Sequence, residues 1–217
     1  LTPLPSSIQA LRFSLRDPAR LPALVDALRS LQLDGTLRAP VGLWNDLRVL
    51  SVETHAPSDA PVDASTVATM RPGWEGARWF GLTGLYAASE LQGRAFREHA
   101  VAHIAPLVDV WGLEERTGDP AAGRELLWET EPAFGYLQGV PHEYSLRSVY
   151  WRKSFAPERS LDPDRDRCGV LWVCAAVPWR GDDIARACDL VDEALPAHGF
   201  EAMTAAVAVT PRVANVV

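Results

Sequence analysis

Three times along this chain a strand-like run turns into an amphipathic helix and returns as a strand, and that recurrence restricts the fold more than any other feature. In the first unit Ile8–Leu15 alternates, with Leu11, Phe13 and Leu15 on one face and Arg12 and Ser14 on the other. Asp17 stands where an N-cap belongs, and Pro18 takes the first helical position, where a missing N–H costs nothing. Leu21, Leu24, Val25, Leu28 and Leu31 follow at helical spacing, Asp34-Gly35 closes the helix, and Thr36–Leu50 is expected to resume as extended chain. The second unit opens on the aromatic strand Arg78–Tyr86. Ser89 and Gln92 then have capping-box spacing, ahead of a helix with Phe96, Ala100, Ile104 and Leu107 along one face. In the third, Gly169–Val177 is apolar on both sides and reads as a central strand. Asp182 or Asp183 can cap a helix striped by Ile184, Ala187, Cys188, Val191 and Leu195; His198-Gly199 ends it, and Ala202–Val209 returns.

The expected fold is therefore α+β: an antiparallel sheet built from repeated β-α-β units with helices packed on one face, as a single domain over 1–217. A long aperiodic loop is expected at about 53–76, a short helix within 114–134 entered through Asp119-Pro120, and a charged, proline-rich loop over 154–168. Twenty-one basic against 28 acidic residues give a net charge of −7, which repels phosphate backbones and anionic headgroups and disfavours nucleic acid and membrane as partners. No stretch approaches the roughly 20 apolar residues of a membrane span, and Leu1-Thr-Pro-Leu-Pro lacks the features of a signal peptide. Cys168, Cys174 and Cys188 cannot all pair with one another, which points to a reducing, cytoplasmic setting. With no initiator Met, the chain is expected to be a processed or trimmed piece.

Few catalytic signatures survive inspection. Gly76, Gly81 and Gly84 are not spaced as a dinucleotide fingerprint, and there is no phosphate loop or nucleophile elbow. His99 and His103 share a helix face, but two ligands are too few for a structural metal, and packing beside Phe96 and Ile104 is the plainer expectation. Asp162-Pro-Asp-Arg-Asp-Arg-Cys-Gly169 imitates a calcium loop but has Arg167 where glycine is needed and Val173 where the closing Glu belongs. No metal site is expected. Cys174 and Cys188 are read as small core residues.

The segment Tyr136–Lys153 is richer. Tyr144, Tyr150 and Trp151 offer flat walls with polar tips, and Arg147, Arg152 and Lys153 offer cations, a mixture suited to an aromatic or anionic ligand or to packing against the sheet. Arg212 interrupts an apolar run from Met203 to Val217 and must reach solvent, a carboxylate or a ligand. The candidate substrate-binding set is Tyr144, Arg147, Tyr150, Trp151, Trp172 and Arg212.

Several of these segments carry a likeness. Leu33-Asp-Gly-Thr-Leu-Arg, Trp44-Asn-Asp-Leu-Arg-Val49, Arg78-Trp79 with Gly84-Leu-Tyr86, Tyr136–Lys153 with its Gln138-Gly-Val-Pro141, and Asp162–Trp172 occur in one order across nearly the whole chain. Together they resemble the substrate, or cap, domain of FAD-linked oxidases, in the branch of vanillyl-alcohol oxidase and the p-cresol methylhydroxylase flavoprotein. The resemblance implies an antiparallel sheet lidding a flavin held by a separate domain, and oxidation of para-alkylphenols by hydride transfer to FAD through a quinone methide. It also implies that FAD is not bound by this chain alone. The family's acidic base and phenolate-binding residues have no counterpart in this sequence, so no catalytic residue is carried over; Arg212 corresponds loosely to a basic position on a cap strand. Two functions follow as expectations. One is the cap of a flavoenzyme acting on a phenolic molecule beside an FAD-binding domain or chain. The other is a flavin-free protein, paired with a second copy through a sheet edge, that binds an aromatic or polyketide-like metabolite or promotes a cyclisation, hydration or isomerisation on it.

Overall fold

The computed structural model describes residues 5, 7–53, 76–117, 146–153, 162–169 and 172–217. The expected loop at about 53–76 and most of the expected 114–134 helix lie outside the described residues; 114–117 belong to a strand.

Strand β1 (Ser7–Leu15) leads through Asp17, whose carboxylate accepts from the Ala19 N–H at 3.0 Å, into a 3-10 turn (Pro18–Arg20) and helix α1 (Leu21–Leu33). The predicted stripe Leu21, Leu24, Val25, Leu28 and Leu31 is buried, and each such side chain contributes about 1.5–3 kcal/mol of gross apolar burial. Gly35, at φ 82°, supplies the left-handed turn that ends the helix. The chain is then extended only over β2 (Val41–Asn45) and turns directly into α2 (Asp46–Glu53), so the expected strand over 36–50 is half helix. Asn45 accounts for the switch, because its side chain caps the new helix.

Strand β3 (Trp79–Ala87), helix α3 (Glu90–Ile104) and strand β4 (Val110–Thr117) form the second unit. Ser89 Oγ accepts from Gln92 N at 3.2 Å while Gln92 Oε1 accepts from Ala88 N at 2.8 Å, a capping box displaced by one residue. Two helical turns, α4 (Arg147–Tyr150) and α5 (Pro163–Asp166), precede the third unit of β5 (Ala175–Pro178), α6 (Gly181–Ala197) and β6 (Ala205–Ala208), and β7 (Val213–Val216) closes the described chain.

The strands form a seven-stranded sheet in the order β4-β1-β3-β2-β6-β7-β5, and its pairs are antiparallel. The two strands of each unit are never neighbours: β1 and β2 straddle β3, β3 and β4 straddle β1, and β5 and β6 straddle β7. The sheet thus consists of a four-strand part and a three-strand part joined along β2–β6, each built from split β-α-β units. Helices α1, α3 and α6 cover one face, where Leu11, Leu15, Leu43 and Ala206 meet Leu28, Ile104 and Ile184 in a single apolar cluster.

The third unit departs from expectation in four respects. β5 is an edge strand and is largely exposed, so the part of the expected central strand that is described as a strand, 175–177, lies at an edge, and Cys174 is exposed although Cys188 is buried as expected. Pro178, which cannot donate to a ladder, is at home on such an edge. Neither Asp182 nor Asp183 caps α6: both lie in its first turn, the N-cap residue is Arg180, and the Gly181 N–H donates to Asp26 Oδ1 of α1 at 2.9 Å. Finally, residues 209–212 form the β6–β7 turn, so Arg212 interrupts the apolar run because the chain reverses there.

Gly181 is where α6 meets α1, and a Cβ there would lie 2.2 Å from the Pro22 carbonyl oxygen. Since neither backbone can yield cheaply, Gly181→Ala is expected to lower stability by about 1–3 kcal/mol. Gly112→Ala, with no atom within 4 Å of its Cβ, serves as the control, and urea denaturation midpoints compare the two.

Candidate functional site

The site is assembled at the end of the sheet where β2 stops and β3 and β6 begin. Asn45, almost fully buried, makes three side-chain bonds there. Its Oδ1 accepts from Arg48 N at 2.9 Å and Thr204 N at 3.1 Å, and its Nδ2 donates to Ala202 O at 2.6 Å. Asp46 follows, its Oδ2 2.7 Å from Arg78 Nη1 and its Oδ1 accepting from Leu47 N at 2.8 Å. Burial pushes the Asp46 carboxyl above its ordinary range, with the Arg78 guanidinium acting against it.

Capped in this way, α2 carries Arg48 into the interior, where the residue is 8% exposed. Its Nη1 donates to Ser148 Oγ of α4 at 3.2 Å, and its guanidinium carbon lies 4.7 Å from the centroid of the Trp172 ring. No described carboxylate pairs with it. Burial lowers the Arg48 pKa, yet a guanidinium starts so high that it keeps its charge at neutral pH. Stacking on the indole offsets about 0.5–2 kcal/mol of the cost of holding that charge away from water.

Two of the predicted residues meet here or adjoin it. Trp172 is half exposed and forms the wall over Arg48. Tyr150 is fully buried on α4, two residues beyond Ser148; its hydroxyl donates to Asp166 Oδ2 at 2.9 Å and accepts from Asp162 N at 2.8 Å, pinning the α5 turn to α4. Burial and then the Asp166 carboxylate push its phenol up to about 12. Trp151 is buried with the Arg152 guanidinium 5.0 Å from its ring centroid, and Arg152 also reaches Glu201 at 3.5 Å. Arg147 is exposed at the start of α4. Arg212 is exposed on the β6–β7 turn, at the opposite end of β6 from Thr204, and does not join the cluster. Tyr144 lies outside the described residues.

Elsewhere the chemistry is structural. His99 Nε2 lies 2.8 Å from Asp34 Oδ2, and His103 Nδ1 lies 2.9 Å from His99 O, so both rings are engaged on the surface of α3. Among the described residues no group of three or more His, Cys, Asp or Glu side chains could hold a metal. The Cys188 thiol, buried and near Asp192 and Asp189, is pushed up to about 12. A cleft of about 400 Å³ opens beside it between Pro18–Pro22 and α6, bordered by Asn45, Arg78 and Asp192 but by none of the predicted site residues. With the Tyr150 and Cys188 protons held so tightly, neither group is a base at neutral pH, and the arrangement around Arg48 is suited to binding and orienting rather than to bond breaking. On β2 and β3 the space beside Gly42 is filled by the Trp44 ring and that beside Gly81 by the Phe13 ring, so neither glycine offers a cradle for a flavin diphosphate.

Arg48, Asn45 and Ser148 lie in segments that carry the resemblance but were not among the candidate site residues. The signal was the Asn45-to-Arg48 N-cap spacing, hidden because residues 36–50 read as extended.

No protein-family model matches the chain. The curated relative 1'-carboxy-chondrochloren decarboxylase of Chondromyces crocatus is 35% identical over 237 residues, covering 100% of this chain and 43% of the relative. Among solved structures, p-cresol methylhydroxylase with substrate bound aligns over 98% of this chain and 38% of its own, with a TM-score of 0.72 and 18% identity. The 4-ethylphenol oxidase of Gulosibacter chungangensis, in complex with isoeugenol, aligns over 100% of this chain and 40% of its own, with a TM-score of 0.75 and 15% identity. The fold expected from the resemblance is therefore the fold observed, and the chain spans about two fifths of the length of the proteins it matches. Among the described residues no helix is long and apolar enough to cross a membrane.

Two measurements probe this end of the sheet. Asn45→Ala removes a cap and two further buried hydrogen bonds, and its urea midpoint is expected to fall by the equivalent of about 2–3 kcal/mol. Because the Asp46 pKa is raised on folding, the folded state binds that proton more tightly, and Asp46 contributes stability as the pH falls from neutrality through its folded pKa. The thermal midpoint of wild type should therefore gain on that of Asp46→Asn as the buffer is acidified from pH 7 towards 4; a constant difference would contradict the assignment.

Proposed function

We propose that this chain is the substrate-shaping part of a flavin-dependent enzyme that acts on a phenolic or related aromatic small molecule. The observation that carries the proposal is the alignment of the whole chain, at 35% identity, with less than half of 1'-carboxy-chondrochloren decarboxylase. The fold shared with two enzymes named for p-cresol and 4-ethylphenol supports the aromatic, phenolic character of the substrate. In this reading FAD is held by a separate domain or chain, as the resemblance implies, and supplies the two-electron chemistry. The described residues wall the ligand and set its orientation: Trp172 offers an aromatic face and Arg48 a fixed positive charge at one end of the sheet.

A second reading is favoured by the relative's name. Loss of a carboxyl group from an aromatic or polyketide-like acid needs no net redox change when a proton replaces the carbon dioxide, and a domain of this fold could orient the acid for that step without flavin.

The native polypeptide that contains these residues distinguishes the two. On the flavin reading it purifies yellow, and anaerobic addition of a 4-alkylphenol or its carboxylated analogue bleaches the visible flavin bands. A colourless protein that takes up no FAD, yet releases carbon dioxide from an aromatic acid, would overturn the flavin reading in favour of the second.

A further inference from the structure

Among the described residues, several cations at this end of the fold have a carboxylate partner, and Arg48 has none. Arg78 is on Asp46 at 2.7 Å, Arg152 on Glu201 at 3.5 Å, and Arg165 on Asp166 at 3.0 Å. Asp46, only two residues from Arg48 and facing elsewhere on the helix, is already taken. Arg48 is more than nine-tenths buried and holds Ser148 Oγ through one nitrogen, with no carboxylate among the described residues. A guanidinium has five N–H donors in one plane. The guanidinium carbon lies 4.7 Å from the centroid of the Trp172 ring, and a carboxylate docks on a guanidinium edge with two parallel hydrogen bonds. Half of Trp172 remains exposed, so the indole over Arg48 reaches the surface. One fixed charge on a protein of net charge −7 suits a monoanion better than a phosphate ester or a polyanion.

We infer that Arg48, braced by Ser148 and stacked on Trp172, anchors the carboxylate of an aromatic acid. The inference deepens the proposed function, on which it rests for the aromatic part of the ligand; the carboxylate part stands on the geometry of Arg48 itself. Arg48 is a binding residue in this scheme and takes no part in bond breaking.

The test measures dissociation constants by calorimetry on the native polypeptide with three probes: 4-hydroxyphenylacetate, its uncharged counterpart 4-ethylphenol, and benzoate. Arg48→Met should weaken both acids about tenfold or more and leave 4-ethylphenol within about twofold, with Arg48→Lys recovering part of the loss. Trp172→Leu, at a half-exposed position that does not threaten folding, should weaken the acids severalfold. Equal weakening of the acid and 4-ethylphenol by Arg48→Met would mean that Arg48 serves a carboxylate of the protein, and would overturn the inference. So would acid binding that survives both substitutions, or wild type that binds neither acid at millimolar concentration. Failure of 4-ethylphenol alone, with benzoate bound through Arg48, would count against the phenolic substrate and leave the carboxylate anchor standing.

Discussion

The side chain of Asn45 is the interaction on which the rest of this end of the molecule depends. With one amide it caps α2 at Arg48 N, holds the start of β6 at Thr204 N and reaches the Ala202 carbonyl. Those groups come from both parts of the sheet, which meet along the pairing of β2 with β6. Few residues could serve all three, because the task needs an acceptor and a donor on a short planar group. An aspartate would lose the donor and bring a charge into a buried position. The amide thereby fixes the direction in which α2 leaves the sheet, and with it the place where Arg48 enters the interior.

Charge allocation follows from that geometry. Asp46 and Arg78 neutralise each other across the β2–β3 end, and Asp166 takes both the Tyr150 hydroxyl and Arg165. The aromatic and basic residues that cluster in sequence between 144 and 153 thus divide in space. Tyr150 and Trp151 become interior props, and the exposed aromatic wall comes from Trp172, further along the chain. A burial of charge that would be costly with nothing stacked or bonded to it is softened by the indole and by Ser148.

Much of the architecture was legible because it rests on local rules. The leucine stripe of α1, the Asp17-Pro18 entry, the Ser89–Gln92 cap and the Gly35 and Gly199 exits are each set within a few residues. The failures share a cause as well. Gly169–Val177 has the composition of a central strand, but strand order is a property of pairing partners far away, and these placed β5 at the edge. The helix at Asp46–Glu53 has a weak apolar stripe and was declared only by its cap. Arg48 was invisible as a site residue because its significance is that no described carboxylate pairs with it, the neighbouring Asp46 being held by Arg78, which only three dimensions can reveal. Trp172, Tyr150 and Trp151 were found through aromatic density, a signal that locates a region but does not tell a prop from a wall.

The junction between β2 and β6 also bears on the order in which the molecule is assembled. Asn45 and Thr204 are 159 residues apart in the chain, whereas β1, β2, β3 and β4 draw their strand partners from within residues 7–117, apart from this one pairing. Contacts of such separation carry the largest loop-closure cost and come late in folding. Arg48 is brought to its final surroundings by that closure, so the anchoring charge is completed only when both parts of the sheet have docked. A nascent or half-folded chain would own the right residues and still be blind to its ligand, and ligand, by favouring the closed seam, would act as a clasp on the last step of assembly.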